Sequence, residues 1–390
     1  MKTATGSRKY GFQIALIWAV VTVFTGSALA EEAYKVGGIF SVTGRASFLG
    51  DPEKKSMEMA IDAVNAAGGI DGRKLEAVIY DTEGDPTKAV MGISKLLNKD
   101  NVLAVIGPST TPTTLAVMPF AEKTGTPLIS CAAGNKITLP VNPWVFKTAQ
   151  SDILAVQTIY EHMKTQGIKK IGILTVADAF GESGREQLEA QAGNFGLTIV
   201  QADKFGGNDT DMTAQLTKIR NAAPQAIVTW TIGPVGSIVA KNKAQLGVTI
   251  PLFQCHGLPD PKYIELAGKA SEGDRMPATK LMVGSALPET DPQKKVIAEF
   301  SHLYRDVYKY DKEFPINTHS GYAWDAITIV ANAMRKAGTD PKALRAAIEQ
   351  TKGYVGVSGV YNLTAEDHNG LDVDSMVMVQ VKGGKFVPAE

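Results

Sequence analysis

The chain has 390 residues, with 40 basic and 40 acidic side chains and no net charge. That balance, with no basic run, argues against nucleic acid as a partner, which would need a basic face. Two cysteines, no C-x-x-C and no zinc-ligand spacing argue against a disulfide scaffold or a cysteine-rich metal centre.

The amino terminus reads as an export signal. Lys2, Arg8 and Lys9 precede the apolar run Phe12 to Phe24, and Ala28-Leu29-Ala30 is a small-x-small cleavage site. The run is too short and wrongly flanked for a stable membrane span. No cysteine follows the cleavage site, so a lipid anchor is not expected and the mature chain should begin near Glu31. The remainder, about 360 residues, suits two domains better than one. Cys131 and Cys255 each follow a short apolar run in separate halves of the chain. They are expected to be free thiols, with a single disulfide as the alternative.

From Tyr34 onward, strands and helices alternate. Tyr34 to Phe40 is a strand. Asp51 to Ala67 is a helix, with Met57, Ile61 and Val64 on one face. Leu75 to Tyr80 is a strand, Thr87 to Asn98 a helix, and Val102 to Ile106 a buried strand. Gly107-Pro108 stops that run, and Thr111 is the expected N-cap of the next helix with Pro112 at its first position. Pro127 to Ser130 and Trp144 to Lys147 are further strands. The pattern then restarts. Helices are expected over 151–164, 184–195, 211–221 and 235–246, and strands over 170–175, 197–202, 226–230 and 250–254. Two successive runs of this kind predict an α/β protein with two similar lobes, each on a parallel sheet. The tail is less regular: a strand at Leu281 to Ser285, helices over 291–308, 318–335 and 341–350, and strands at Val360 and Val373 to Val381.

Ligands of open parallel sheets sit outside the carboxyl ends of the strands. In the first half those ends carry Ser41 to Leu49, Gly107 to Thr111 and Cys131 to Gly134, which are rich in small hydroxyls and glycine. In the second half they carry Asp178 to Gly181, Trp230 to Pro234 and Cys255 to Gly257. A helix start with free N–H groups and hydroxyls at Thr110 and Thr111 favours an anion. An ordinary capped helix is the alternative for that loop taken alone. Phe180, Trp230 and His256 would form the opposite wall, unless they are core and loop residues. Arg45 reads as a solvated charge. No phosphate-binding, dinucleotide, zinc-protease or serine-hydrolase motif is present. No catalytic residue, metal ligand or cofactor is therefore expected, and the weight moves toward binding rather than catalysis.

Several stretches together carry a resemblance. They are SVTGRASFLGDPEKKSMEMAIDAVNAAGGIDGRKLEAVIYDTEGDPTKAV, VLAVIGPSTTPTTLAV, PLISCAAGN, AGKASEG, DMTAQLTKIRNAAPQAIV, THSGYAWDA and EDHNGLD. With these, nearly the whole mature chain resembles the periplasmic substrate-binding proteins of the leucine/isoleucine/valine branch of ABC importers. The resemblance implies the type I periplasmic binding protein fold, in which two Rossmann-like lobes are joined by a three-stranded hinge. It places lobe 1 at 34–149 plus 282–365 and lobe 2 at 150–281 plus 366–390. It further implies a monomer in the periplasm that traps its ligand by closure and hands it to membrane permease subunits.

Carried over residue by residue, the resemblance puts the carboxylate-binding hydroxyl on Thr111, beside Thr110. Backbone contacts fall on Ala132, Ala133 and Gly134, and an apolar contact on Leu49, beside Phe48. The second-lobe ring falls on Phe180 and a further contact on Ile232, beside Trp230. Two positions depart from the amino-acid binders: Gly134 stands where they have threonine, and His256 where they have an acid that meets the ligand's ammonium group. Because an unpaired buried ammonium is costly, the expected ligand is a small carboxylate without an α-amino group, aromatic in view of Phe48, Phe180 and Trp230. A branched-chain or other amino acid is the alternative, as is a sensor role for the same fold.

Overall fold

The computed structural model describes residues 1–4 and 32–390. The expected export signal and its cleavage site lie outside the described residues. From Ala33 to Glu390 the chain forms one compact unit built on two sheets.

The first sheet contains β1 (Tyr34–Phe40), β2 (Leu75–Asp81), β3 (Val105–Ile106), β4 (Leu128–Ser130) and β5 (Val145–Lys147), in the order β2-β1-β3-β4-β5. Every pairing is parallel. Helix α1 (Ser47–Ala66) covers one face, and α2 (Pro86–Lys95) and α3 (Thr111–Thr124) cover the other. Asp85 caps α2 by accepting from Lys88 N at 3.0 Å, with Pro86 at the first position, as capping chemistry requires. The cap of α3 is Thr110 rather than Thr111, so Thr111 is the first helical residue and Pro112 the second.

The chain then crosses over. Helix α4 (Asp152–Thr165) leads into β6 (Lys170–Val176), α5 (Ala179–Ala192), β7 (Thr198–Phe205), α6 (Thr213–Asn221), β8 (Ala226–Trp230), α7 (Pro234–Gln245), β9 (Leu252–Gln254), α8 (Pro261–Ala267) and β10 (Arg275–Thr279). Helix α5 starts five residues before its apolar periodicity begins. Asp178 accepts from Phe180 N and Gly181 N at 2.9 and 3.0 Å and nucleates the first turn.

Past β10 come α9 (Lys294–His302), α10 (Tyr322–Ala337) and α11 (Pro341–Glu349), then the small ribbon β11 (Tyr354–Val355) and β12 (Val360–Tyr361). Finally β13 (Met376–Lys382) and β14 (Lys385–Pro388) join the second sheet, whose order is β14-β13-β10-β9-β8-β6-β7. Helix α10 packs on α1 of the first sheet, while β13 pairs antiparallel with β10 of the second. The chain therefore passes between the two sheets three times.

One sequence expectation fails here. Leu281 to Ser285 is not a strand; 3₁₀ turns occupy Lys280–Ala286, and the strand is β10, just before them. Pro277 disguises it, because proline lacks the N–H that a central strand donates. Strand β9 reaches β10 only at Arg275, so Pro277 has no partner to satisfy on that side. Both cysteines are buried free thiols, as expected. Among the described residues no helix is long and apolar enough to cross a membrane.

Asp325 of α10 binds the turn between β11 and β12. Its carboxyl oxygens accept from Val357 N and Ser358 N, each at 2.8 Å, deep in the interior. Replacing Asp325 by Asn keeps the shape but turns one acceptor into a donor facing an N–H. The expected outcome is a loss of about 1–3 kcal/mol in urea unfolding at pH 7. A loss below a few tenths would show that this tie is dispensable.

Candidate functional site

In the first sheet, strand order reverses between β1 and β3; in the second, between β6 and β8. The loops leaving these four strands lie at the two switch points, where open α/β sheets bind ligands. They meet around a cavity of about 50 Å³. One wall is Arg45, Ala46 and Leu49 after β1, Ser109 to Pro112 after β3, and Cys131 to Ala133 after β4. The other is Asp178 and Phe180 after β6, Ile232 after β8, and His256 and Gly257 after β9. Ala149 on the first crossing and His319 and Tyr322 before and in α10 complete the lining.

Eight of the eleven residues chosen from sequence line this cavity: Leu49, Thr110, Thr111, Ala132, Ala133, Phe180, Ile232 and His256. Three do not. Phe48 faces a neighbouring groove with Leu258 and Tyr263. Trp230 is fully buried, and its indole lies so close to Gly184 that a Cβ there would sit 2.2 Å from the ring. Gly134 is turned onto Thr111: its N–H donates to Thr111 Oγ1 at 3.2 Å, and a Cβ would lie 2.4 Å from Thr111 Cγ2.

The start of α3 carries no side-chain cap, because the Thr110 hydroxyl pairs with the Thr113 hydroxyl at 2.8 Å. The N–H groups of its first turn are thus left to the dipole end that faces the cavity. Ser130 Oγ receives Ala132 N at 3.0 Å and contacts Thr114 Oγ1 at 2.9 Å, which locks the loop after β4 against α3. Buried Lys147 donates to Ala133 O at 2.8 Å and fixes that loop from behind.

Electrostatics on this side is clean. Glu53 of α1 is wholly buried beside Ser109, and neither carboxyl oxygen completes a hydrogen bond. Burial pushes its acid well above the usual carboxylate range, which favours the neutral form.

Residues that sequence reasoning passed over lie mainly across the cavity. Arg45 is exposed, as read from sequence, while its Nη1 donates to Gly207 O at 2.8 Å and its Nη2 lies 3.9 Å from Asp178 Oδ2. Asn135 N donates to Ser183 Oγ at 3.1 Å, and Asn317 Nδ2 to Asp260 Oδ2 at 2.8 Å. These contacts tie distant parts of the chain together around the cavity. Asp152 of α4 is fully buried behind His256, with 3.6 Å between Asp152 Oδ1 and His256 Nε2. The only advance sign of Asp152 was its place in the first turn of an expected helix. His319 left no sequence signal, because it belongs to neither strand-end loop.

The comparisons with known proteins agree with this geometry. A family model described as periplasmic binding protein matches residues 33–385. The chain belongs to the periplasmic binding protein family. Among relatives of this binding protein is a leucine-, isoleucine-, valine-, threonine- and alanine-binding protein of Pseudomonas aeruginosa, 27% identical over 83% of this chain and 84% of the other. A Leu/Ile/Val-binding protein homolog from Brucella melitensis is 22% identical over 96% and 98%. Among solved structures, an extracellular ligand-binding receptor from Rhodopseudomonas palustris superposes with TM-score 0.85 at 27% identity, covering 92% of this chain and all of the other. A branched-chain amino acid transporter substrate binding protein from Streptococcus pneumoniae, in complex with isoleucine, gives TM-score 0.80 at 25% identity over 92% and 99%.

The two cavity histidines are held neutral. Burial lowers His256 to about 3, helped by His319 and Lys147, and burial lowers His319 to about 4. Unfolded histidine titrates near 6.5. Between those values the unfolded chain takes up protons that the folded binding protein refuses, so stability falls as pH drops from about 6.5. The variant carrying both His256→Gln and His319→Gln should show a flatter change in urea-unfolding free energy between pH 7 and pH 5. The difference should be roughly 1–2 kcal/mol per histidine. An unchanged profile would show that both rings protonate freely in the fold.

Proposed function

We propose that this binding protein is the extracytoplasmic solute-binding component of an ABC importer, and that it holds a small carboxylate in the cavity. The observation that carries this reading is the uncapped start of α3 opening onto a cavity lined by Ser109, Thr110 and Thr111. A carboxylate there would receive first-turn N–H groups and hydroxyls in an apolar, enclosed setting, where such bonds are strong. The lobes proposed are 34–149 plus 282–365 and 150–281 plus 366–390. Closure of one on the other would bury the ligand and present a changed surface to the permease in the membrane, with the binding protein in the periplasm.

An aromatic ligand is disfavoured by the lining of the cavity. Of the three rings behind the aromatic expectation, only Phe180 reaches it. The names of the relatives bring small aliphatic amino acids to the front. A second reading, a carboxylate without an amino group, draws on His256 standing in the wall where the amino-acid binders have an acid.

A melting screen of the purified protein tests the class. Aliphatic amino acids and short aliphatic carboxylates should raise the melting temperature, whereas neutral amides and amines should not. Replacing Thr111 by Val should weaken binding about tenfold in calorimetry, while lowering the unliganded melting temperature only by what the lost Gly134 N–H bond contributes. A screen with no stabilising carboxylate would defeat the reading, and an unaltered affinity would remove Thr111 from the site.

A further inference from the structure

Three cavities meet at one side chain. Arg45 lines the main cavity, a second one of about 170 Å³ and the groove that Phe48 faces. The second cavity shares Arg45, Asp178 and Ile232 with the main one, so these three residues form the partition between them. Beyond the partition the second cavity is lined by Val176, Pro234, Val235 and Ile238, together with the polar loop after β7, Gly207 to Thr210. The four apolar side chains suit an alkyl chain, and they adjoin the cavity read above as a carboxylate site.

Arg45 is held in the partition at both ends. Its backbone packs on the loop after β8, where a Cβ on Gly233 would lie 3.2 Å from Arg45 O. Its Nη1 donates to Gly207 O at 2.8 Å. A Cβ on Gly207 would sit 2.2 Å from the same nitrogen, so the loop after β7 fits closely against the guanidinium. Nη2 lies 3.9 Å from Asp178 Oδ2, and Asp178 is itself fixed through Oδ1, which accepts from Phe180 N and Gly181 N. Half of the Arg45 side chain remains exposed, so water still solvates its charge.

We propose that Arg45 is a specificity-determining residue that limits ligand length, by separating the main cavity from the apolar one beside it. This rests on the carboxylate reading above. A ligand tail that reaches the partition meets a tethered, hydrated cation. To pass, it would have to break the bond to Gly207 and strip water from the guanidinium, a loss that one or two buried methylenes do not offset. With a small side chain at position 45, the same tail would meet Val176, Val235 and Ile238 instead. Each further methylene buried there would strengthen binding about fourfold. The wall is therefore chemical as well as steric: it is closed to an alkyl chain because it carries a charge.

The test titrates two straight-chain series calorimetrically: butanoate, hexanoate and octanoate, and the L-2-amino acids of the same three lengths. The proteins are the wild type, Arg45→Ala and Ile232→Ala, the last of which thins the same partition without touching the Gly207 bond. In whichever series the wild type binds, affinity should fall from the shortest member to the longest. Arg45→Ala should cut that preference by about tenfold, chiefly through tighter binding of the longest member. Ile232→Ala should move it in the same direction, which keeps the proposal open to test if Arg45→Ala fails to fold. A residue that merely ties the loops together would weaken every length alike, and that result in Arg45→Ala would overturn the proposal. So would an unchanged preference in both variants, or a wild type that binds the longest member as tightly as the shortest, with the carboxylate reading left standing. If the wild type binds no member of either series, the carboxylate reading falls and the proposal with it.

Discussion

Everything around the cavity depends on how three chain passages are held together beside it. Gln150 does this with one side chain. Its Nε2 donates to Ser358 O at 2.6 Å and to Ser375 O at 3.4 Å, and its Oε1 accepts from Tyr322 OH at 3.0 Å. Tyr361 OH and Asn369 Nδ2 bond the neighbouring carbonyls of Thr148 and Ala149. The first crossing, the start of α10 and the third crossing are thereby pinned to one another in a buried knot of hydrogen bonds. Such side-chain networks are stiff because the local dielectric is low and the bonds reinforce one another. Ala149 and Tyr322 belong to this knot and also line the cavity. The floor of the site is therefore set by the crossings, and the walls by the strand-end loops.

Buried polar atoms without a partner occur in several places, among them Ser358 Oγ in the knot and the Asn135 amide after the loop that follows β4. Two groups of them lie at the cavity's margins, Glu53 under one wall and Asp152, Trp230 and His256 behind the other. The two margins differ in kind. Glu53 is alone with Ser109, and burial raises its acid well above the usual range. Asp152 shares its surroundings with Lys147 and Ser183, which favour its charge.

Much of this was legible in the sequence, for definite reasons. Parallel strands buried on both faces read as plain apolar runs, and Ala226 to Trp230 was placed to the residue. Helices α2 and α11 were placed with their starts within one residue of Pro86 and Pro341. The strand-end rule collected most of the cavity lining before any coordinates. Three things escaped. Pro277 hid β10, because what excuses it is the shortness of β9, a tertiary fact. Trp230 looked like a ligand wall because its position at a strand end is right. Only the contact with Gly184, 46 positions away along the chain, shows that the ring packs inward. Asp152 escaped because a carboxylate in the first turn of a helix is ordinary. It becomes significant only when His256, from a distant strand end, is folded against it.

Gly134 shows how such distant pairs constrain specificity. Its backbone, with φ −51° and ψ 136°, is open to any residue, so glycine is not needed there for conformation. It is needed for space, because the Thr111 methyl and hydroxyl occupy the volume that a Cβ would take. A threonine at position 134, as in the amino-acid binders that the chain resembles, cannot coexist with Thr111 in its present rotamer. The two positions form one steric unit, and the hydroxyl this chain lacks at 134 is excluded by the one it has at 111. The absence of a side chain at 134 is therefore no sign that an amino group has ceased to be recognised. It reflects how the loop after β4 is packed onto the start of α3.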